Sequence, residues 1–391
     1  MLVIRRGYLC RREGEEKSCV HTCETVETRH LATFSAMRDP SVPKNDTLTR
    51  RALIRGGMRI AGGVALAGSV GSLLDIASGA RVAGAATSTP MSFQLGWLTN
   101  TEFAGSYLAQ QDGLYKKQGL DVTILPGEGV DVEGIVGAGK ALVGDSNADT
   151  CSAAVAQGAD LKIIGAKYQQ NPFCIISSAK KPLKTPRDLV GKRVGVNAYN
   201  FTGWSTFLAV NGIDKSKVVT VNEGYTAGPE ALAEGRVDAW MGFITNEPTV
   251  LELSGFPVHT FLLADFGYEV YADIYETTST AIAEHKDELV AFMAAEREGW
   301  QADLDNPAAG LAVTMARYGK KLGLSSRQQK LENSAQLALV ETAYTRKAGL
   351  FAMDPADVAR NIKTLRLASS KKIGNYYTQP DLFDDSILKA L

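Results

Sequence analysis

Thr185-Pro186-Arg187-Asp188-Leu189-Val190-Gly191-Lys192-Arg193-Val194-Gly195-Val196 is the stretch from which the architecture of this chain is read. Thr185 stands where a helix N-cap is wanted, and Pro186 takes the first helical position, where its missing N–H is not needed. Gly191 supplies a left-handed exit, and an apolar run then ends at Asn197. Beyond it the pattern predicts a helix over 202–211, a strand over 218–221, a helix over 227–234 and a strand over 237–243. Strands alternating with helices of this length make parallel β-α-β units. The expectation is an α/β protein of two lobes joined by a hinge. Residues 185–270 form the second lobe, inserted between two parts of the first, 86–184 and 271–391. The cleft between lobes is the expected site.

Working outward, the first lobe is expected to hold strands over 93–98, 120–125, 141–144, 161–166 and 173–177. Helices over 102–118, 132–138 and 148–157 lie between them, with Gly119, Gly139 and Gly158 as terminators. Residues 178–184 are the expected first crossing into the second lobe. Gly139-Lys140-Ala141-Leu142-Val143-Gly144-Asp145 is echoed by Gly235-Arg236-Val237-Asp238-Ala239-Trp240-Met241, as if both lobes solve one helix-to-strand join alike. After a helix at 246–253 and a strand at 258–263, the alternating run 268–282 returns to the first lobe. From Glu284 onward the chain reads as helices over 284–303, 307–319, 325–342 and 355–367, expected to cover the first lobe's sheet.

Residues 1–85 read as a leader. Arg50-Arg51 is followed by a mildly apolar, glycine-rich run from Ile60 to Leu74, then by Ala83-Gly84-Ala85. Paired arginines, a weak apolar core and an A-x-A cut resemble a twin-arginine export signal. The expectation is export by the twin-arginine translocase to a periplasmic or extracytoplasmic location, with cleavage near Ala85; Met37 is an alternative start. The 42 Lys and Arg balance 43 Asp and Glu, so no basic surface argues for nucleic acid. Cys10, Cys19 and Cys23 lie in the leader at poor metal-ligand spacing. Cys151 and Cys174 are either a disulfide of an exported protein or two buried thiols. No metal and no cofactor are expected.

Gly134 to Ala141 matches part of a phosphate loop, but it runs helix to strand, and Ala141 lacks the magnesium-binding hydroxyl. His259 and His285 lie near no candidate nucleophile, so no enzyme chemistry has a visible carrier. Strand ends instead carry aromatic and polar residues, and such ends line the crevice of open α/β sheets. The candidates in the first part of the chain are Trp97, Asn100, Asn147, Tyr168 and Gln169. The inserted lobe adds Tyr199, Phe201, Thr202, Tyr225, Phe243, Asn246 and Glu247. Flat walls with a few fixed polar groups suit a small planar ligand. Trp97 fits either the site or the core, whereas Trp204 and Trp240 read as core. Glu247 fits either a ligand-facing acceptor or a first-turn acid favoured by the helix dipole.

Several stretches carry a family likeness: Trp97 to Asn100 with Glu102-Phe103-Ala104-Gly105-Ser106-Tyr107, Gly113 to Val122, Tyr168 to Phe173, Thr185 to Val196, and Glu234 to Ala239 running on to Asn246-Glu247-Pro248. Over residues 92–370 the chain resembles the solute-binding proteins of ABC importers, in the NMT1/THI5-like group of thiamine-pyrimidine precursor binders with riboflavin, sulfonate and nitrate binders as relatives. The resemblance implies a type II periplasmic-binding-protein fold that closes on its ligand and docks, as a monomer, on an ABC permease. It implies a thiamine-related pyrimidine as ligand, with Trp97 among the aromatics and Glu247 at the amino edge. Riboflavin or a sulfonate- or nitrate-type anion is the alternative. A pyrimidine synthase of the same group is the alternative of another class.

Overall fold

Residues 88–224, 227–368 and 379–391 are described by the structure, a computed structural model. The export signal at Arg50-Arg51, the cut near Ala85 and Tyr225 lie outside the described residues. Two five-stranded sheets carry the fold. The first has the order β2-β1-β3-β10-β4 and the second β7-β6-β8-β5-β9. In chain order the strands are β1 (Thr89–Gln94), β2 (Leu120–Leu125), β3 (Val143–Ser146), β4 (Lys162–Tyr168), β5 (Phe173–Ser178), β6 (Arg193–Val196), β7 (Val219–Asn222), β8 (Ala239–Phe243), β9 (Val258–Leu262) and β10 (Ala272–Thr277).

The two sheets are built alike. In each, three strands run parallel, and one antiparallel strand arriving from the other lobe pairs with the third: β10 with β3, β5 with β8. The echoed segments enter β3 and β8, the matching strands, through left-handed Gly139 (φ 67°) and Gly235 (φ 72°). One helix-to-strand join is thus used twice.

This arrangement moves the first crossing. The reading from sequence gave β5 to the first lobe and put the crossing at 178–184. Instead β5 pairs with β8 and β9, Phe173 opposite Phe243 and Cys174 opposite Leu262, so the chain crosses at residues 169–172. Its residues are buried on both faces, so no polar alternation marks which sheet it joins. The return crossing, 263–271, lies alongside. Asn171 ties the two: its Nδ2 donates to the Val270 carbonyl at 2.8 Å, and its Oδ1 accepts from the Phe173 N–H at 2.9 Å.

The helices are α1 (Ala104–Gln111), α2 (Leu114–Lys117), α3 (Val132–Gly137), α4 (Ala148–Ala156), α5 (Phe201–Val210), α6 (Glu230–Ala233), α7 (Glu247–Leu253), α8 (Ser279–Glu284), α9 (Lys286–Asp305), α10 (Pro307–Val313), α11 (Ser326–Val340), α12 (Ala343–Ala348) and α13 (Pro355–Ala368). The single helix expected over 102–118 is broken at Gly113 (φ 69°), which starts α2 on a new axis. The strand expected at 93–98 begins earlier, because Thr89 to Gln94 pair with Leu120 to Leu125; Gly96 and Trp97 then leave the sheet toward the cleft.

The C-terminal helices cover more than the first lobe. Helix α9 packs on α1 of the first lobe, but α11 touches α7 and α13 lies against α5 of the second. Val358, Ile362 and Leu365 of α13 share one apolar core with Trp204, Phe207 and Leu208. Trp204 and Trp240 are core, as expected, and the Trp204 indole N–H donates to Thr220 Oγ1 at 2.9 Å. Cys151 and Cys174 are buried free thiols. Among the described residues no helix is long and apolar enough to cross a membrane.

Candidate functional site

A cavity lies between the ends of the two sheets, and Trp97, Asn147, Tyr199, Phe243, Asn246 and Glu247 all line it. The lobes meet over it. Trp97, just past β1, meets the Tyr199 ring edge-on, centroids 5.5 Å apart at 80°. Tyr199 sits in the turn after β6, and its hydroxyl donates to the Gly127 carbonyl in the turn after β2, at 3.2 Å. Aromatic pairs favour such edge-to-face geometry.

The second-lobe wall comes from the end of β8. Phe243 packs edge-on against Phe173, centroids 4.8 Å apart. Three residues on, Asn246 takes the N-cap position of α7, and Glu247 is its first residue. The Glu247 carboxylate folds back and accepts the Phe243 N–H through Oε2 at 2.8 Å. Gly242 makes room for this, since a Cβ there would lie 2.6 Å from the Glu247 carboxyl carbon. Burial pushes the Glu247 carboxyl up to about 7, against the lowering pull of its backbone hydrogen bonds. It therefore takes both roles weighed from the sequence: a first-turn acid and a lining group.

The floor was not foreseen. Glu102, Asp145 and Asp273 bring carboxylate oxygens within 4.8 Å of one another, the spacing of a cation site. The cation there is Lys167 on β4, 3.2 Å from Asp145 and 2.8 Å from Asp273. Its ammonium also donates to the Glu102 carbonyl at 3.2 Å and lies 4.4 Å over the Phe103 ring. Burial alone would lower the lysine, but Asp145, Asp273 and Glu102 raise it above its ordinary range. One ammonium does not balance three buried carboxyls. Desolvation pushes Asp145 up to about 8, Glu102 well above its usual value, and Asp273 up as well. Asp273 adopts a left-handed φ of 49°, and its N–H donates to Asn147 Oδ1 at 3.2 Å.

The other expected site residues are engaged elsewhere. Asn100 is buried and donates through Nδ2 to Glu332 Oε1 at 2.7 Å, while its Oδ1 caps the turn that follows. The Tyr168 hydroxyl donates to Gln336 Oε1 at 2.6 Å. Gln169 folds onto the Ala166 carbonyl, Phe201 packs against the core, and the Thr202 carbonyl accepts from Thr206 Oγ1. None of these five lines the cavity. Helix α11 withdraws Asn100 and Tyr168 by offering them better-placed partners. Glu102, Glu133, Asp145, Thr150, Asn197 and Asp273 line the cavity without having been singled out. His259 sits on β9, and His285 is half-exposed beside Glu288; neither lines the cavity.

A family model described as NMT1/THI5 like matches residues 100–310. The formylaminopyrimidine-binding protein of Halalkalibacterium halodurans is 27% identical over 56% of this chain and 68% of its own. The riboflavin-binding protein RibY of Chloroflexus aurantiacus is 24% identical over 62% of this chain and 71% of its own. Three more relatives, one from Legionella pneumophila at 29% identity over 40% of this chain and 50% of its own, are named 4-amino-5-hydroxymethyl-2-methylpyrimidine phosphate synthase. Among solved structures, the periplasmic aliphatic sulphonate binding protein SsuA of Escherichia coli superposes with a TM-score of 0.57 at 16% identity, covering 75% of this chain and 92% of that one. The fold is that of the periplasmic binding proteins.

Proposed function

The chain belongs to the NMT1/THI5 like family, and from that premise we propose that it is an exported solute-binding protein of an ABC importer, taking an amino-substituted pyrimidine in its cleft. The observation that carries this reading is the polarity of the cavity. Glu102, Glu133, Asp145, Glu247 and Asp273 line it, and none of its lining residues among those described is Lys, Arg or His. Acceptors between aromatic walls suit a flat ring with N–H donors. A sulfonate or nitrate would meet no Lys, Arg or His among the described lining residues, and Lys167 at the floor is already held by Asp145 and Asp273. A larger flat ring such as riboflavin is the second reading, favoured by the relative so named.

A synthase reading follows from other relatives' names. Schiff-base chemistry on the ligand calls for a lysine able to give up a proton. Lys167, among the floor acids, is held protonated by Asp145 and Asp273, which supports the binder. Export through Arg50-Arg51 and docking on a permease belong to the same proposal.

Equilibrium dialysis with a labelled aminopyrimidine tests it. Unlabelled aminopyrimidine is expected to displace the label and a thousandfold excess of alkanesulfonate is not; displacement by the sulfonate would overturn the reading.

A further inference from the structure

Helix α11 turns a polar face inward. Gln328, Gln329, Glu332, Asn333 and Gln336 are all buried, whereas Leu331 is 45% exposed. Ser325 starts the helix by accepting the Gln328 N–H. Glu332 is the hub of this face. Its Oε1 accepts from Asn100 Nδ2 at 2.7 Å, and its Oε2 accepts from Gln328 Nε2 at 2.8 Å and Gln329 Nε2 at 2.7 Å. Three side-chain amides thus point N–H groups at one carboxyl, which fixes which end of each is nitrogen.

The chain of bonds runs on into the cavity. Gln328 Nε2 also donates to Asn246 Oδ1 at 2.7 Å, while Gln328 Oε1 accepts from Gln329 Nε2 at 2.5 Å. Both ends of the Gln328 amide are therefore committed. Asn246 has its oxygen committed too, and among the described residues no acceptor takes its Nδ2, on a side chain that lines the cavity next to Glu247. An asparagine amide rotates by half a turn at little cost when nothing holds it. Here a buried acid on another helix holds it.

We propose that Gln328 and Glu332 are positioning residues that lock the Asn246 amide with Nδ2 toward the ligand, so that the wall presents a donor beside the Glu247 acceptor and selects a ring edge with an acceptor next to an amino donor. This rests on the function proposed above and narrows its ligand class. A 4-aminopyrimidine presents such an edge, ring nitrogen beside NH₂. The matching 4-pyrimidinone presents the reverse, ring N–H beside C=O. With the exocyclic group held opposite Glu247, the lock rejects the second because two donors, and two acceptors, would face each other in a desolvated site.

The test is the ratio of dissociation constants for 4-aminopyrimidine and 4-pyrimidinone, measured on the full chain. Wild type is expected to favour the amino ring by about tenfold or more, the worth of one buried hydrogen bond made against one left unmade. Gln328→Met removes the lock without adding charge and brings the ratio toward one. The paired exchange of Gln328→Glu with Glu332→Gln keeps charge and volume but reverses the direction of the chain, so that two acceptors face the ligand, each ring meets one of them badly, and the preference is lost. A merely structural role would weaken both ligands alike and leave the ratio unchanged; that outcome overturns the inference. Should the paired exchange fail to fold, Gln328→Met alone decides. Should no pyrimidine bind the wild type, the proposed function falls and the lock is judged without ligand. Both Gln328 side-chain amide protons are then expected to exchange slowly by NMR, one of them gaining fast exchange in Asn246→Ala. Fast exchange of both in wild type overturns the lock.

Discussion

The matching strands β3 and β8 end at the same cavity with opposite electrostatic outcomes. β3 delivers Asp145, whose charge is met by Lys167 from β4, on the far side of β10 in the same sheet. β8 delivers Phe243 and, one turn on, Glu247, whose carboxylate is met by backbone N–H and by no cation among the described residues. The first acid is part of a cluster satisfied within the protein; the second keeps acceptor capacity toward the cavity. A shared topology therefore yields one side that holds the lobe together and one that is open to a ligand, and only the neighbouring partners distinguish them.

The largest expected effect breaks the first side. Lys167→Met leaves Asp145 and Asp273 buried without their cation, a loss of about 3–5 kcal/mol for a buried ion pair cut at one partner, read by denaturant unfolding. Glu247→Gln sharpens the contrast. It is expected to cost about 1.5–3 kcal/mol of aminopyrimidine binding, the range for a hydrogen bond to a charged group, with folding stability nearly unchanged. Equal losses of folding stability in the two variants would erase the distinction between floor and wall.

pH separates the sides again. Burial raises Glu276 on β10 to about 8, so the folded protein holds a proton that the unfolded chain releases near pH 4 to 5. That contribution to stability is therefore fully present below about pH 4 and is lost as pH rises from there to about 8. Chemical denaturation at the two pH values checks the sign. Binding is expected to run the other way. Glu247, pushed up to about 7 by burial, accepts N–H groups best when ionised, so affinity for a ligand of constant charge rises from pH 6 to 8. The smallest effect is Trp97→Ala, which loses roughly 0.5–1.5 kcal/mol of aromatic contact beyond the buried area; an unchanged dissociation constant would show that the Trp97–Tyr199 pair serves only to join the lobes.

Much of this was legible in the sequence. Glycine and proline punctuation and apolar runs placed most strands and helices, and strand ends pointed to Trp97, Tyr199, Asn246 and Glu247 at the cavity. Two kinds of information were not. A strand buried on both faces carries no sign of which sheet it joins, so β5 was given to the wrong one. And polar residues inside a fold look like surface in a sequence. The Gln328-Gln329-Glu332 face of α11 reads as solvated, yet it draws Asn100 out of the site and reaches Asn246 within it. Asp145, Asp273 and Lys167 lie apart in sequence, on strands β3, β10 and β4, and only the sheet order makes them neighbours. The resemblance to the NMT1/THI5-like group supplied the fold that composition alone does not.

The measurement closest to the central claim is thermal unfolding of the full chain against aminopyrimidines, pyrimidinones, riboflavin, alkanesulfonates and nitrate. A ligand at a hundred times its dissociation constant adds about 2.7 kcal/mol to stability, a shift large enough to read. The account predicts a rise in melting temperature with an aminopyrimidine and none with the anions. A rise with an alkanesulfonate or nitrate and none with any heterocycle would contradict it.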